Sequence, residues 1–315
     1  MHIWHYTKLS PDQIGGVEKH IAALSHIFSK KGYLVSIGLK QPAIKSEEKL
    51  ILHTHGDAWP SFKLLKLHYQ HSLKWVHVCH GTSAGRVLAC REFFSFSGLK
   101  GSLRDFSLVQ CADAIIGVSQ NAVLEAEKYF QYKGAFQIIS NGVDPTIFKP
   151  LSQIVSDPRL IYVGRMNDRV KNLDMLLYAS ELLANKNSKY ELWLAPGFKN
   201  HSHSYIKNLG KQDGRKLFEA LSQCRALILC SFYEGNPLVV YEAMAVGLPI
   251  LASDIPALRE VLANYSLVTF FNPRKLQDVV MKIESVLNQD NFTPTPFVRS
   301  WDEVAQDYIR FYETL

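Results

Sequence analysis

EGNPLVVYEAMAVGLP, residues 234–249, holds a loop, a helix and a helix stop. Asn236 followed by Pro237 is the chemistry of an N-cap and a first helical residue: the amide oxygen accepts from a free backbone N–H, and proline has no N–H to leave unpaired. Gly247 and Pro249 end the run, glycine because it enters the left-handed region without a Cβ penalty, proline because it cannot continue a helix. The apolar pentamer ALILC at 226–230 and the run at 249–252 are too short for helices and read as strands. Strand, short helix and strand in that order imply a parallel sheet covered by helices. Glu242 falls inside the helix among Val240, Ala243, Met244 and Val246, so it is partly buried and needs a partner. Glu234 stands in the loop, eight residues earlier.

The same alternation extends in both directions. Strands are expected near 2–6, 33–39, 49–54, 74–79, 113–118 and 136–140, then near 159–163, 190–195, 226–230, 249–252 and 267–270. Helical periodicity fills 171–184, 214–222, 237–246, 256–263 and 273–288. It is clearest over 17–31, where Val17, Ile21, Leu24, Ile27 and Phe28 share a face. The fold class is therefore α/β, with two doubly wound Rossmann-like domains facing a central cleft at the carboxyl ends of their strands. Asn141–Pro158, with Asn-Gly and three prolines, separates them. The expected domains are 1–145 and 146–295. Residues 296–315 form a C-terminal segment whose helix, with Trp301, Val304, Tyr308 and Phe311 on one face, returns to the first domain.

The chain has 315 residues, 47% of them hydrophobic, which excludes wholesale disorder. No run reaches the roughly 18 apolar residues of a membrane span, and MHIWHYTK lacks the apolar core of a signal peptide. Five cysteines, an odd number without a C-x-x-C pair, argue against a disulfide framework or a structural zinc site and for a cytoplasmic setting. The net charge of +6 lies entirely in residues 1–150, with 17 Lys+Arg against 11 Asp+Glu; residues 151–315 have 18 of each. The first half is therefore expected to meet something anionic.

Three loops carry phosphate-binding chemistry. Gly15 and Gly16 open the first long helix, where glycine lets a ligand approach and the free N–H groups favour an anion. Arg165 and Lys171 flank the loop after the strand at 159–163 and can neutralise a diphosphate, arginine as a fork and lysine as a point charge. The third is the helix start at Asn236, Pro237 and Leu238. A carboxylate such as Glu242 can accept two hydrogen bonds from ribose hydroxyls, as acidic residues do in nucleotide sites. Neither a Walker A loop nor G-x-G-x-x-G occurs.

Taken in order, GGVE (15–18), VCHG with His80, ADAIIGVS (112–119), SNGVD (140–144), Arg165 with Lys171, Glu234 with Glu242, and SWDEVAQDYIRFY (300–312) resemble the retaining glycosyltransferases of family 4, the glycosyl transferases group 1 type, which have the GT-B fold. The resemblance implies that Gly15, Gly16, Arg165 and Lys171 hold the diphosphate of a nucleotide sugar. It implies that Glu242 binds ribose, that Glu234 with the backbone at Asn236–Leu238 holds the sugar, and that His80 lies at the reaction centre near the acceptor. His53, His55 and His77 are then structural or acceptor-side. The implied activity is transfer of a hexose-type sugar to a hydroxyl of a glycan or glycolipid in cell-surface polysaccharide assembly. A UDP- or GDP-sugar serves as co-substrate, with no other cofactor and no metal, since Asp-x-Asp is absent. Asn236–Pro237 replaces the family's phenylalanine-glycine, and residues 195–204 have only Gly197 of its second phosphate loop.

The interleaved basic and aromatic residues Trp59, Phe62, Lys63, Lys66, Tyr69, Arg86, Arg91, Phe93, Phe94, Phe96, Lys100 and Arg104 suit an acceptor wall or a peripheral contact with an anionic membrane face. A nucleic-acid partner has no recognisable motif. Three rival activities remain on the page. One is a nucleotide-sugar epimerase on the same fold. Another is a serine hydrolase using Ser83 of G-T-S-A-G with His201 or His203. The third is a glycosidase pairing Glu234 with Glu242.

Overall fold

The computed structural model describes residues 1–8, 15–43, 49–61, 65, 73–92, 95–165, 168–195, 203–289 and 292–315. The readings made on Phe62, Lys63, Lys66, Tyr69, Phe93, Phe94, Gly197 and His201 lie outside them. The chain divides into two compact units, Met1–Gly142 with Ser300–Leu315, and Val143–Arg299.

Unit 1 is built on the parallel strands β1 (His2–Tyr6), β2 (Leu34–Ile37), β3 (Leu50–Thr54), β4 (Leu73–Cys79), β5 (Ala114–Gly117) and β6 (Ala135–Ile138), in the spatial order β2-β1-β3-β4-β5-β6. Its helices include α1 (Gly16–Lys30), α2 (Ser83–Cys90), α3 (Phe96–Cys111) and α4 (Gln120–Phe130). β1 and β3 are neighbours although β2 lies between them in sequence, which puts the sheet's topological switch point at their carboxyl ends. The last helix of the chain, Trp301–Glu313, belongs to this unit as expected. Ser300 and Glu303 start it with a reciprocal capping box. Its buried Val304, Tyr308 and Tyr312 pack in one cluster with Ile3, Leu24, Phe28 and Val76. Lys49 Nζ donates to the Tyr312 carbonyl at 2.7 Å near the helix end.

Unit 2 contains β7 (Arg159–Val163), β8 (Glu191–Ala195), β9 (Ile206–Asn208), β10 (Ala226–Leu229), β11 (Ile250–Ser253) and β12 (Val268–Phe271), all parallel. Their order is β12-β11-β10-β7-β8-β9. Counted from β7, that is the dinucleotide-fold order 3-2-1-4-5-6, with the switch point between β7 and β10. β9 was not expected: Ile206-Lys207-Asn208 is an edge strand with one apolar residue and no periodicity to read. The helices are α5 (Leu173–Lys186), α6 (Gly214–Ser222), α7 (Leu238–Val246), α8 (Pro256–Val261) and α9 (Leu276–Leu287).

Every residue of α7 is buried, so the opening stretch of sequence is the centre of this unit. Its start corrects the expected cap. Pro237 is the N-cap and Leu238 the first helical residue. Its end is as read. Gly247 has φ +78°, and a Cβ there would meet Thr295 N at 2.9 Å. The irregular segment before the last helix runs against this end, with Phe297 N donating to Met244 O at 2.9 Å.

Candidate functional site

β7 and β10 pair side by side, Ala226 opposite Leu160 and Leu227 opposite Ile161, so the loops that leave them meet. Phe232 N donates to Val170 O at 2.8 Å and ties the two loops together. The first loop ends in a 3₁₀ turn, Arg169–Lys171, started by Asp168, whose Oδ1 accepts from Val170 N at 3.2 Å. Asn172 then takes φ +51° and donates its side chain to Pro273 O at 2.8 Å, which anchors the turn to the sheet edge beyond α5's start.

That turn aims Lys171 at the second loop. Lys171 Nζ lies 2.5 Å from Glu234 Oε1, with the side chains only 17% and 8% exposed. Ser231 Oγ donates to the same oxygen at 2.6 Å. A charge pair this sheltered is held for its geometry, because desolvation offsets most of the Coulomb gain. Four residues beyond Glu234 the chain enters α7, whose first N–H groups have no carbonyl within the helix to accept them. A cation, a carboxylate and a helix N-terminus thus converge at the switch point. That combination can hold a ligand carrying both phosphate and hydroxyl groups.

The other expected residues fall as follows. Arg165 leaves β7 three-quarters exposed, with Nη2 2.8 Å from Asp168 Oδ2. It therefore stands at the rim, held by the residue that starts the Lys171 turn. Glu242 is buried one turn into α7, as its apolar neighbours required. Sequence reasoning missed Asp168, Ser231 and Asn172, which position the pair. The only signals available were Asp168 and Ser231 standing three residues before Lys171 and Glu234.

In unit 1, Gly15 is the N-cap of α1, and a Cβ there would run into the Glu18 carboxylate. Around Gly16 the space is open. His80 follows β4, and its Nε2 lies 3.2 Å from His55 Nδ1. Burial holds the His80 imidazole well below its ordinary pKa, with the neighbouring His20 and His77 adding to the shift. His20, His53 and His55 are displaced in the same direction, chiefly by burial. His77 is held at about 4 by burial, with Thr54 Oγ1 3.0 Å from its Nδ1. A cavity of about 90 Å³ opens beside them, lined by His55, His80, Thr82, Ser83 and Asp105 among others. Ser83 is committed to structure: its N–H donates to Asp105 Oδ2 at 2.7 Å, and its side chain fills the space left by Gly101.

Residues 157–289 match the family described as Glycosyl transferases group 1. Among curated relatives, the putative colanic acid biosynthesis glycosyl transferase WcaC of Escherichia coli K12 is 23% identical over 202 residues, 58% of this chain and 48% of that one. The O-antigen chain mannosyltransferase B of Escherichia coli is 27% identical over 177 residues, 49% and 45%. The matches thus span about half the length of these two relatives. Phosphatidyl-myo-inositol mannosyltransferase of Mycobacterium tuberculosis aligns over 96% of this chain and 94% of its own at 22% identity. Sucrose-phosphate synthase from Thermosynechococcus elongatus superimposes with a TM-score of 0.79 at 16% identity, covering 100% of this chain and 99% of that one. Anabaena HepE in complex with UDP and glucose gives a TM-score of 0.68 at 15% identity over 99% of both chains. Residues 157–289 are thus similar to the glycosyl transferases group 1 family, and the two parallel-sheet α/β units have the GT-B fold of the solved glycosyltransferases.

Proposed function

We propose that this protein is a retaining glycosyltransferase that moves a hexose-type sugar from a nucleotide-diphosphate sugar to a hydroxyl of a glycan or glycolipid. The observation that carries the reading is the sheltered Lys171–Glu234 pair at the switch point of unit 2, beside the start of α7. In the proposed complex the diphosphate lies against Lys171, Arg165 and the α7 N-terminus, Glu242 accepts from the ribose, and Glu234 with the backbone at Asn236–Leu238 receives the sugar. Cleavage of the anomeric bond puts positive charge on the sugar and negative charge on the departing diphosphate. Fixed cations and helix N–H groups stabilise that negative charge more as it grows, which is what lowers the barrier. The acceptor hydroxyl enters on the same face, and its proton goes to the departing phosphate oxygen, so configuration is kept.

Side-chain cations meet the charge of the diphosphate, so the transfer is expected to need no divalent ion at the donor. Adding Mn²⁺ or Mg²⁺ to chelator-treated enzyme should leave turnover within about twofold; a larger gain on adding either would refute it. The relatives named for colanic acid, O-antigen and phosphatidyl-inositol substrates support an acceptor of the cell-surface glycan or glycolipid class.

A membrane-facing acceptor is supported by α3, where Phe96, Leu99, Leu103 and Phe106 form one exposed apolar stripe beside Lys100. No helix among the described residues is long and apolar enough to cross a membrane. The deciding experiment is thermal unfolding with UDP, GDP and ADP, followed by hydrolysis and transfer assays with sugars of the nucleotide that stabilises. Stabilisation by none of the three would overturn the reading.

A further inference from the structure

Unit 1 gathers imidazoles at the carboxyl end of its sheet. His5 lies next to the end of β1, His53 next to the end of β3 and His55 just beyond it, His80 follows β4, and His20 faces them from α1. The His5 ring stands edge-on to His53 with centroids 4.9 Å apart and stacks on His55 at 5.2 Å. His5 and His53 are fully buried and His55 is 5% exposed. Yet two nitrogens of this cluster, His5 Nε2 and His53 Nδ1, have no hydrogen-bond partner among the described residues. A buried polar atom left unpartnered costs about 1–3 kcal/mol. The unpartnered His53 Nδ1 marks a cluster that is missing a partner on that side.

We propose that His5, His53 and His55 form a buried binding site for one Zn²⁺ ion. One nitrogen from each ring lies within 4.8 Å of the others. Two of the rings are also held from behind. Tyr312 Oη lies 2.5 Å from His53 Nε2, which leaves the unpartnered Nδ1 as the donor. His80 holds His55 Nδ1, which leaves Nε2. His5 Nδ1 faces that Nε2 at 2.9 Å. Two tetrahedral ligands with Zn–N bonds of about 2.0–2.1 Å stand about 3.3 Å apart, so binding opens the His5–His55 pair by a few tenths of an ångström and brings the His53 nitrogen to the same spacing. The hydrogen between the two rings moves to His5 Nε2, and three neutral imidazoles bind without net proton change. A three-imidazole set with outer-shell support suits zinc or its mimic cobalt. His20, His55 and His80 form a second triad of similar compactness. There both nitrogens of His20 are already engaged, at 2.8 Å to Asn141 Oδ1 and 3.3 Å to Tyr308 Oη.

The site lies in unit 1 and is independent of the donor chemistry proposed for unit 2. The test uses the full chain, stripped with dipicolinate and titrated with Co²⁺ while visible d–d absorption is recorded. The expected result is an intense tetrahedral band saturating at one equivalent, removed by Zn²⁺, with Zn²⁺ raising the unfolding temperature. His53→Gln should abolish the band, Tyr312→Phe should weaken binding about ten- to a hundredfold, and His20→Gln should keep the band. A folded wild-type chain that gives no band and retains no zinc overturns the proposal, and this holds even if His53→Gln does not fold. Loss of the band in His20→Gln with retention in His53→Gln overturns the choice of triad. None of these readouts involves sugar transfer, so the outcome is separable from that of the proposed activity.

Discussion

Lys171 and Arg165 are both cations on one loop, and the structure gives them different work. Lys171 is sheltered and paired with Glu234, while Arg165 is exposed and held by Asp168. Lys171→Ala should therefore do two things. It should lower kcat about a hundredfold, as for loss of one electrostatic donor, and destabilise unit 2 by about 2 kcal/mol by leaving Glu234 sheltered without its cation. Adding Glu234→Gln should recover stability in urea unfolding but not turnover. Arg165→Ala should slow transfer similarly while leaving the unfolding midpoint nearly unchanged, because an exposed pair contributes ~0–1 kcal/mol. Wild-type rates in both variants would remove the diphosphate clamp. Glu242→Ala should weaken nucleotide binding about tenfold or more by calorimetry; unchanged affinity would refute the ribose role.

Helices divide into those whose position is set by burial and those whose exposed face asks for a partner. The first kind is α7, which is wholly buried and stopped by a left-handed glycine with Thr295 N close against it. Gly247→Val should cost at least about 1–3 kcal/mol by thermal melting, because it pays both for a positive φ and for displaced backbone. The second kind is α3. Replacing Leu99 and Leu103 with serine should reduce binding to phosphatidylglycerol-containing vesicles severalfold, without changing nucleotide affinity. Binding unaffected by the substitutions, by anionic lipid content and by salt would dismiss the membrane reading. α7 was legible because its caps and apolar residues are local. Its start shifted by one residue because Pro237, with no N–H to offer, could close the loop as readily as open the helix.

At the scale of the molecule, the C-terminal helix makes the first unit discontinuous in sequence. Tyr308 is fully buried against Phe28 and His20, so Tyr308→Ala should destabilise unit 1 by about 3–5 kcal/mol. Nucleotide affinity should stay within twofold, since Arg165, Lys171 and Glu242 of the proposed donor site lie in Val143–Arg299. Loss of nucleotide binding in a folded Tyr308→Ala protein would contradict that division of labour. Residues 1–142 carry +6, but the returning helix adds Asp302, Glu303, Asp307 and Glu313 against Arg310, so the first unit nets +3 and Val143–Arg299 carries the other +3.

Short strands, helix caps and periodicities of 2 and 3.6 are properties of neighbouring residues, so the sequence by itself determined two doubly wound units, the linker and the returning helix. The local placements of Gly15, Lys171 and Glu234 at loop–helix junctions, and of Glu242 inside its helix, were likewise readable. What only the tertiary structure decided are relations between residues distant in sequence. The order of strands makes β7 and β10 neighbours and so brings Lys171 to Glu234 across sixty-three positions. Placing β1 beside β3 does the same for His5, His53 and His55. A histidine's spacing in the chain carries no information about which strand will lie next to its own. That is set by which faces bury the most apolar surface together, and the chemistry of both sites follows from it.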